Sequence, residues 1–292
     1  MQWNCRWESS STLFDCGGIG VGLCISHKIG DALSYFTFLN TWAAVARGDK
    51  KKIVLPEFVS AKIFPPLNVS VPEPPSGPTK EIREKYAAEN GIRPSRIEAL
   101  SAFIWSRFIA STKEKPSPNV ILHTVNLRTR FDPALPAQCF GNMFHLTRTV
   151  PSVDKEKDDG CNNLVSQIET PLEKSTENVR KLQAGDDLSE GAENNISKGE
   201  SIPFIFTSLC RFPLYEADFG WGKPVWVSSA NLSTRNLVVF MDTANGDGVE
   251  AWIHLKEGDM AEFASDEECV FSMRCKGEKE SIMECLIRKM IN

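Results

Sequence analysis

Ile19-Gly20-Val21-Gly22-Leu23-Cys24-Ile25-Ser26-His27-Lys28-Ile29-Gly30-Asp31, running on through Ala32-Leu33-Ser34-Tyr35-Phe36 to Arg47-Gly48, is the stretch that decides the fold. In its first part Ile19, Val21, Leu23 and Ile25 alternate with Gly20, Gly22, Cys24 and Ser26. This period of two predicts a strand with one apolar face and one face of small residues. In its second part Leu33, Phe36, Leu39, Ala43 and Ala46 fall on one helical stripe, and Tyr35, Phe38, Trp42 and Val45 on another. That pattern predicts a helix over 31–47, buried nearly all round. Asp31 stands where an N-cap belongs, and Gly48 supplies the stop. A strand that hands the chain to a helix through a short loop is α/β organisation. The loop presents His27 at the C-terminal edge of the strand, where α/β proteins place ligand sites.

Outward from this stretch, residues 65–78 hold six prolines and read as a crossing segment between two domains. Ser95-Arg96-Ile97-Glu98 is a capping box. The helix it opens turns Ile97, Leu100, Ile104, Trp105 and Phe108 inward. Residues 120–127 read as a strand, and further strands are expected near 203–209, 224–230, 236–242 and 249–255, with a hairpin turn at Asn245-Gly246-Asp247-Gly248. Residues 1–12 are polar without a clear period. The expected organisation is therefore α/β in two domains, divided as 1–66, a Pro-rich crossover at 67–80, and 81–292.

Charge and cysteine content narrow the function. A formal net charge of −5 over 292 residues argues against a broad nucleic-acid or anionic-membrane surface. The nine cysteines include no CxxC pair and several lie in apolar runs, which fits a reduced, cytoplasmic protein. No stretch reaches the length of a membrane span. The histidines (His27, His123, His145 and His254) and the cysteines show no zinc spacing, so no metal is expected. The glycines of 17–22 lack the GxGxxG spacing of a dinucleotide loop.

Two segments carry chemistry. A neutral imidazole at His27 can accept a proton from a hydroxyl or amine at cellular pH. The residues alone leave a second reading open, a histidine held by local hydrogen bonds. Asp31 is architectural on either reading, as a helix cap or as the anchor of the His27 loop. The other segment, Asp218-Phe219-Gly220-Trp221-Gly222-Lys223-Pro224, sets two glycines around a tryptophan in one tight loop. Asp218 there can accept from loop amides or pair with an arginine.

Together the two segments resemble the HxxxD and DFGWG motifs of the BAHD acyltransferases, the plant acyl-CoA-dependent family, and most of all its alkaloid-acylating branch. Phe14-Asp15-Cys16-Gly17-Gly18, Asn126-Leu127-Arg128, Gly141-Asn142 and Leu214-Tyr215-Glu216-Ala217 are similar to it as well. The resemblance implies a two-domain BAHD/chloramphenicol-acetyltransferase-like architecture, with mixed sheets flanked by helices. It implies His27 as general base for transfer of an acyl group, with acetyl-CoA the expected donor, to a hydroxyl or amine of a specialised metabolite. It also implies a salt bridge from Asp31 to Arg128, a supporting role for Asp218, Gly220, Trp221 and Gly222, and an oxyanion or substrate contact at Thr207. The intact family is expected to be monomeric.

The sequence departs from that family in three places. HxxxD begins only at residue 27, so the first domain reads as incomplete and N-terminally truncated. An element is missing near Thr79-Lys80, and the resemblance stops at about Glu268. These breaks support an alternative, an inactive truncated paralogue or a partner-binding fragment prone to self-association.

Overall fold

A computed structural model describes residues 7–63, 95–111, 120–151, most of 164–180, 203–229 and 234–266, together with the backbone of 273–276 and 282–289. The crossover at 67–80 lies outside the described residues. Two compact units are present, and their membership is not collinear with the chain. The first gathers Met1–Leu67, Pro133–Phe144 and Phe212–Val227; the second gathers Asn68–Asp132, His145–Arg211 and Ser228–Asn292. The Asp218–Gly222 loop thus clusters with the segment that carries His27.

In the first unit, strand β1 (Trp7–Leu13) pairs antiparallel with β2 (Ile19–Ile25), from Trp7 opposite Ile25 to Leu13 opposite Ile19. β2 is the strand expected from alternation. β1 was invisible to that test because Ser9, Ser10, Ser11 and Thr12 offer no apolar phase; a complete backbone ladder to β2 forms it instead. The apolar phase of β2 is only partly covered, and Ile19 and Val21 remain exposed. Helix α1 (Ala32–Ala46) follows, with N-cap Asp31 and C-cap Arg47. It buries Leu33, Ser34, Phe36, Ala43 and Ala44 but leaves Phe38 and Val45 exposed, so it is amphipathic rather than buried all round. A short helix α2 (Ser60–Ile63) and a parallel bridge between Glu57 and Cys139 bring residues 133–144 alongside.

The second unit is built on a seven-stranded mixed sheet, ordered β4-β3-β5-β6-β7-β9-β8. Its strands are β3 (Ile121–Asn126), β4 (Phe144–Thr149), β5 (Phe204–Ser208), β6 (Leu237–Asp242), β7 (Val249–Lys256), β8 (Met273–Lys276) and β9 (Ile282–Lys289). β3, β5 and β6 run parallel, and the remaining described pairings are antiparallel. Helix α3 (Arg96–Ser111) opens on the expected capping box: Ser95 N donates to Glu98 Oε2 at 2.7 Å and Glu98 N to Ser95 Oγ at 3.3 Å. Leu100, Ile104, Trp105 and Phe108 of α3, with Met260 and Phe263 of α4 (Glu257–Ala264), close on Ile121, Phe204, Phe206, Val238, Phe240, Ile253 and Leu255. One expected strand is corrected. Residues 224–229 are irregular rather than a strand, since Pro224 cannot donate to a ladder. The tail beyond 268 supplies two strands of the sheet.

His123 faces this core. Its ring stacks on Phe206 with centroids 5.1 Å apart, and burial pushes its pKa down to about 4. The unfolded chain therefore binds a proton between about pH 6.5 and 4 that the native state does not. Stability is complete above that window and falls as pH drops through it, and His123→Leu should flatten the fall, as urea midpoints at pH 7, 5.5 and 4.5 would show. Phe204, 1 % exposed, gives the test of the core. Phe204→Ala should cost roughly 3–5 kcal/mol in the same urea titrations.

Candidate active site

His27 sits on a β-turn directly after β2. Ile29 N donates to Ser26 O at 2.9 Å, closing the turn, and Lys28 N reaches Ser26 Oγ at 3.4 Å. The imidazole is exposed and lies edge-on to the Phe144 ring, with centroids 5.5 Å apart and planes at 69°. The carbonyl of His27 accepts from Asn142 Nδ2 at 2.7 Å. This places the general-base candidate at the mouth of a strand-to-helix connection, on a turn held from outside by residues 142 and 144. β2 belongs to a two-stranded antiparallel sheet, and His27 follows its C-terminal end at the edge of that hairpin.

Asp31 is 8 % exposed, and both its carboxylate oxygens are engaged. Oδ1 accepts from Ser34 N and from Ser34 Oγ, each at 3.0 Å, which is the helix cap. Oδ2 accepts from Met143 N at 3.0 Å, which ties the cap to a segment 112 residues away. Ser34 strengthens the tie: its Oγ lies 3.1 Å from both Gly141 O and Gly141 N. Gly141 has φ 132, and a Cβ there would come within 2.5 Å of Ser60 Oγ, so both backbone and space demand glycine. Ser34, Gly141, Asn142 and Met143 escape a reading of the HxxxD stretch because their pairing is long-range. The Gly141-Asn142 dipeptide was the visible signal, and it carried no partner.

The Asp218 loop lies at the other end of α1. Asp218 Oδ1 accepts from Gly220 N at 2.8 Å and Gly222 N at 3.0 Å, and these two amides hold its carboxyl below the ordinary aspartate value. Of the two expected roles, acceptance from loop amides is the one its carboxylate takes here. Gly220 and Gly222 adopt φ 107 and 110, the left-handed side that favours glycine. Arg47, the C-cap of α1, donates through Nη1 to Asp218 O, and Phe219 meets Trp42 edge-on at 5.1 Å. Trp221 stacks on Phe219 at 5.8 Å and is itself 62 % exposed. Fifteen helical residues separate Asp31 from Arg47, about 22 Å at the usual rise. The loop therefore braces the far end of α1 and stands well away from His27.

Arg128 and Thr207 belong to the second unit. Arg128 is 1 % exposed in a 3₁₀ turn, where its backbone N donates to Asn126 Oδ1 at 3.1 Å. Thr207, on β5, accepts from Thr124 Oγ1 at 2.7 Å and lines a cavity of about 170 Å³ with Ser95, His123, Thr124, Arg130 and Ser208. Burial pushes the Cys210 thiol up to about 11, so it stays protonated and unreactive at neutral pH. Among the described residues no group of three or more His, Cys, Asp or Glu is arranged to hold a metal ion, and no helix is long and apolar enough to cross a membrane.

The turn-borne histidine with a capping aspartate four residues on, and the separate Asp-Phe-Gly-Trp-Gly brace, are the two segments on which the sequence resemblance rested. The Transferase family profile matches residues 10–89 and 78–270. Stemmadenine O-acetyltransferase of Catharanthus roseus is 37% identical over 279 residues, covering 87% of this chain and 63% of its own length. Vinorine synthase of Rauvolfia serpentina is 35% identical over 270 residues, covering 86% of this chain and 62% of its own. The crystal structure of vinorine synthase superposes with a TM-score of 0.65 over 88% of this chain and 63% of that one. The fold recurs at 18% identity and TM-score 0.64 in F. sporotrichioides TRI101, complexed with coenzyme A and T-2. The chain belongs to this transferase family, the BAHD acyltransferases, and its architecture is theirs, as the sequence resemblance implied. It spans about 63% of the length of the curated relatives it matches.

The Asp31 geometry makes a prediction. Asp31→Asn keeps the cap, because an amide oxygen can still accept from Ser34, but turns an amide N–H₂ toward Met143 N. The lost bond and the donor–donor clash should cost roughly 1–3 kcal/mol, measurable by chemical denaturation, whereas Asp31→Ala should lose the cap as well and cost more.

Proposed function

We propose that this chain carries an acyl-transfer site in which His27 acts as general base, moving an acyl group from acyl-CoA to a hydroxyl or amine of a plant specialised metabolite. The observation that carries the reading is the division of labour between two residues: His27 offers an exposed imidazole on a braced turn, while Asp31 commits both carboxylate oxygens to architecture. His27 takes the acceptor's proton, the freed oxygen or nitrogen attacks the thioester carbonyl, and the C–S bond breaks. The proton then passes from His27 to the CoA thiolate. No cysteine is acylated, which accords with the protonated Cys210.

Thr207 is assigned to the developing oxyanion. It accepts from Thr124, which leaves its own hydroxyl proton free to donate, and such a donor is worth about 3 kcal/mol. The family resemblance supports a structural role for Arg128, buried in its 3₁₀ turn. The relatives named as O-acetyltransferases favour acetyl as the acyl group and a hydroxyl as the acceptor. The reading includes a cytoplasmic setting, where free thiols such as Cys16 and Cys24 persist.

A second reading, an inactive chain that binds a partner, is favoured by the large apolar side chains of the β1–β2 hairpin. Trp7, Leu13 and Phe14 are 59%, 79% and 55% exposed. The readings separate in one assay: the protein is incubated with acetyl-CoA and a panel of alkaloid and phenolic alcohols, and free CoA is followed. Release is expected, and His27→Ala should reduce it roughly 100- to 10,000-fold. Undiminished release from His27→Ala removes His27 from the mechanism, and absence of release from the parent, with the protein recovered in an assembly, selects the second reading.

A further inference from the structure

We infer that Asn142 is a positioning residue for His27, a role that rests on the reading of His27 as general base. The turn at Ser26–Ile29 spends the Ser26 carbonyl on Ile29 N, at 2.9 Å, and leaves the carbonyl of His27 outside the turn's own hydrogen bonding. His27 occupies the second position of that turn. The peptide between the second and third positions is the one whose half-rotation interconverts the two common turn types, and it changes ψ of the second residue by roughly 150°. A donor fixed on the His27 carbonyl therefore selects one peptide orientation. Asn142 Nδ2, at 2.7 Å, is that donor. The backbone orientation in turn restricts the rotamers open to the imidazole.

Asn142 is well placed to act as a fixed point because its neighbours are themselves held. Gly141 O accepts from Asp31 N at 3.3 Å and from Ser34 Oγ at 3.1 Å. Met143 N donates to Asp31 Oδ2 at 3.0 Å, and Phe144 sets its ring against the His27 ring at 5.5 Å. Four consecutive residues, 141–144, thus each grip at least one group of the 27–34 segment, and only Asn142 does so through a polar side chain. The hydrogen bond it makes is exposed to solvent, so its loss hands the carbonyl to water at little cost to the fold. What is lost is the single orientation of the base.

The test uses the full chain with Asn142→Ala, with Asn142→Asp, which has the same shape but no donor at neutral pH, and with Asn142→Gln, which restores an amide. All should melt close to the parent. CoA release from acetyl-CoA should fall roughly 10- to 100-fold in kcat for the Ala and Asp variants with KM for acetyl-CoA little changed, and recover in part in Asn142→Gln. A second readout needs no turnover. The imidazole C–H resonances of His27, identified by their absence in His27→Ala, should move toward free-histidine positions in the Ala and Asp variants as the ring leaves Phe144. Parental kcat together with unmoved His27 resonances in both variants overturns the proposal. Release that survives His27→Ala overturns the base reading instead, and the resonances then still decide whether Asn142 orients the ring.

Discussion

The carboxylate of Asp31 is the constraint on which the first unit depends. One oxygen ends the helix by satisfying Ser34, and the other satisfies Met143 N across 112 residues of chain. Bonds to a charged acceptor of this kind contribute roughly 1.5–3 kcal/mol each, about twice a neutral pair. A single side chain therefore fixes where α1 begins, how the His27 turn enters it, and which distant segment lies alongside. The far end of α1 repeats the device with the roles reversed: a cation at the C-cap, Arg47, grips the backbone of the Asp218 loop. Helix α1 is tied at both termini, and the turn that carries the candidate base inherits that rigidity.

What the sequence disclosed followed from locality. β2, α1, the capping box at Ser95 and the strands of the second core announce themselves through patterns a few residues long. Asp31 as cap and Gly48 as stop were legible for the same reason. The site was legible only in part. His27 and the Asp218 loop stand out by residue type, but the partners that hold them, Asn142, Met143 and Gly141 on one side and Arg47 on the other, are far away in sequence and unremarkable in composition. β1 was hidden because a run of serines forms a strand only when a ladder is offered to it. The expected all-round burial of α1 failed because apolar spacing marks what can be buried, and Phe38 and Val45 are left without cover in this unit.

The second unit has a different economy. Its core is aromatic and aliphatic, built on the parallel strands β3, β5 and β6 and closed by α3 and α4, and it admits His123 only as a neutral ring stacked on Phe206. Thr124 and Thr207, one on each of two adjacent strands, bring paired hydroxyls to the wall of a cavity beside that core. The tail beyond the family match, which ends at residue 270, lies against β7 through β9 and so joins the sheet by backbone pairing.

The first unit's discontinuity has a consequence in time. During synthesis, β2, His27 and α1 leave the ribosome long before the residues that grip them. At roughly 5–20 residues per second, the 112 residues between Asp31 and Met143 take on the order of 6–22 s, and the Asp218 brace arrives later still. Through that interval the hairpin and the apolar stripe of α1 are exposed and unanchored. The nascent chain is then at its most vulnerable to chaperone capture and misassembly, and the speed of translation between residues 31 and 143 becomes a determinant of yield.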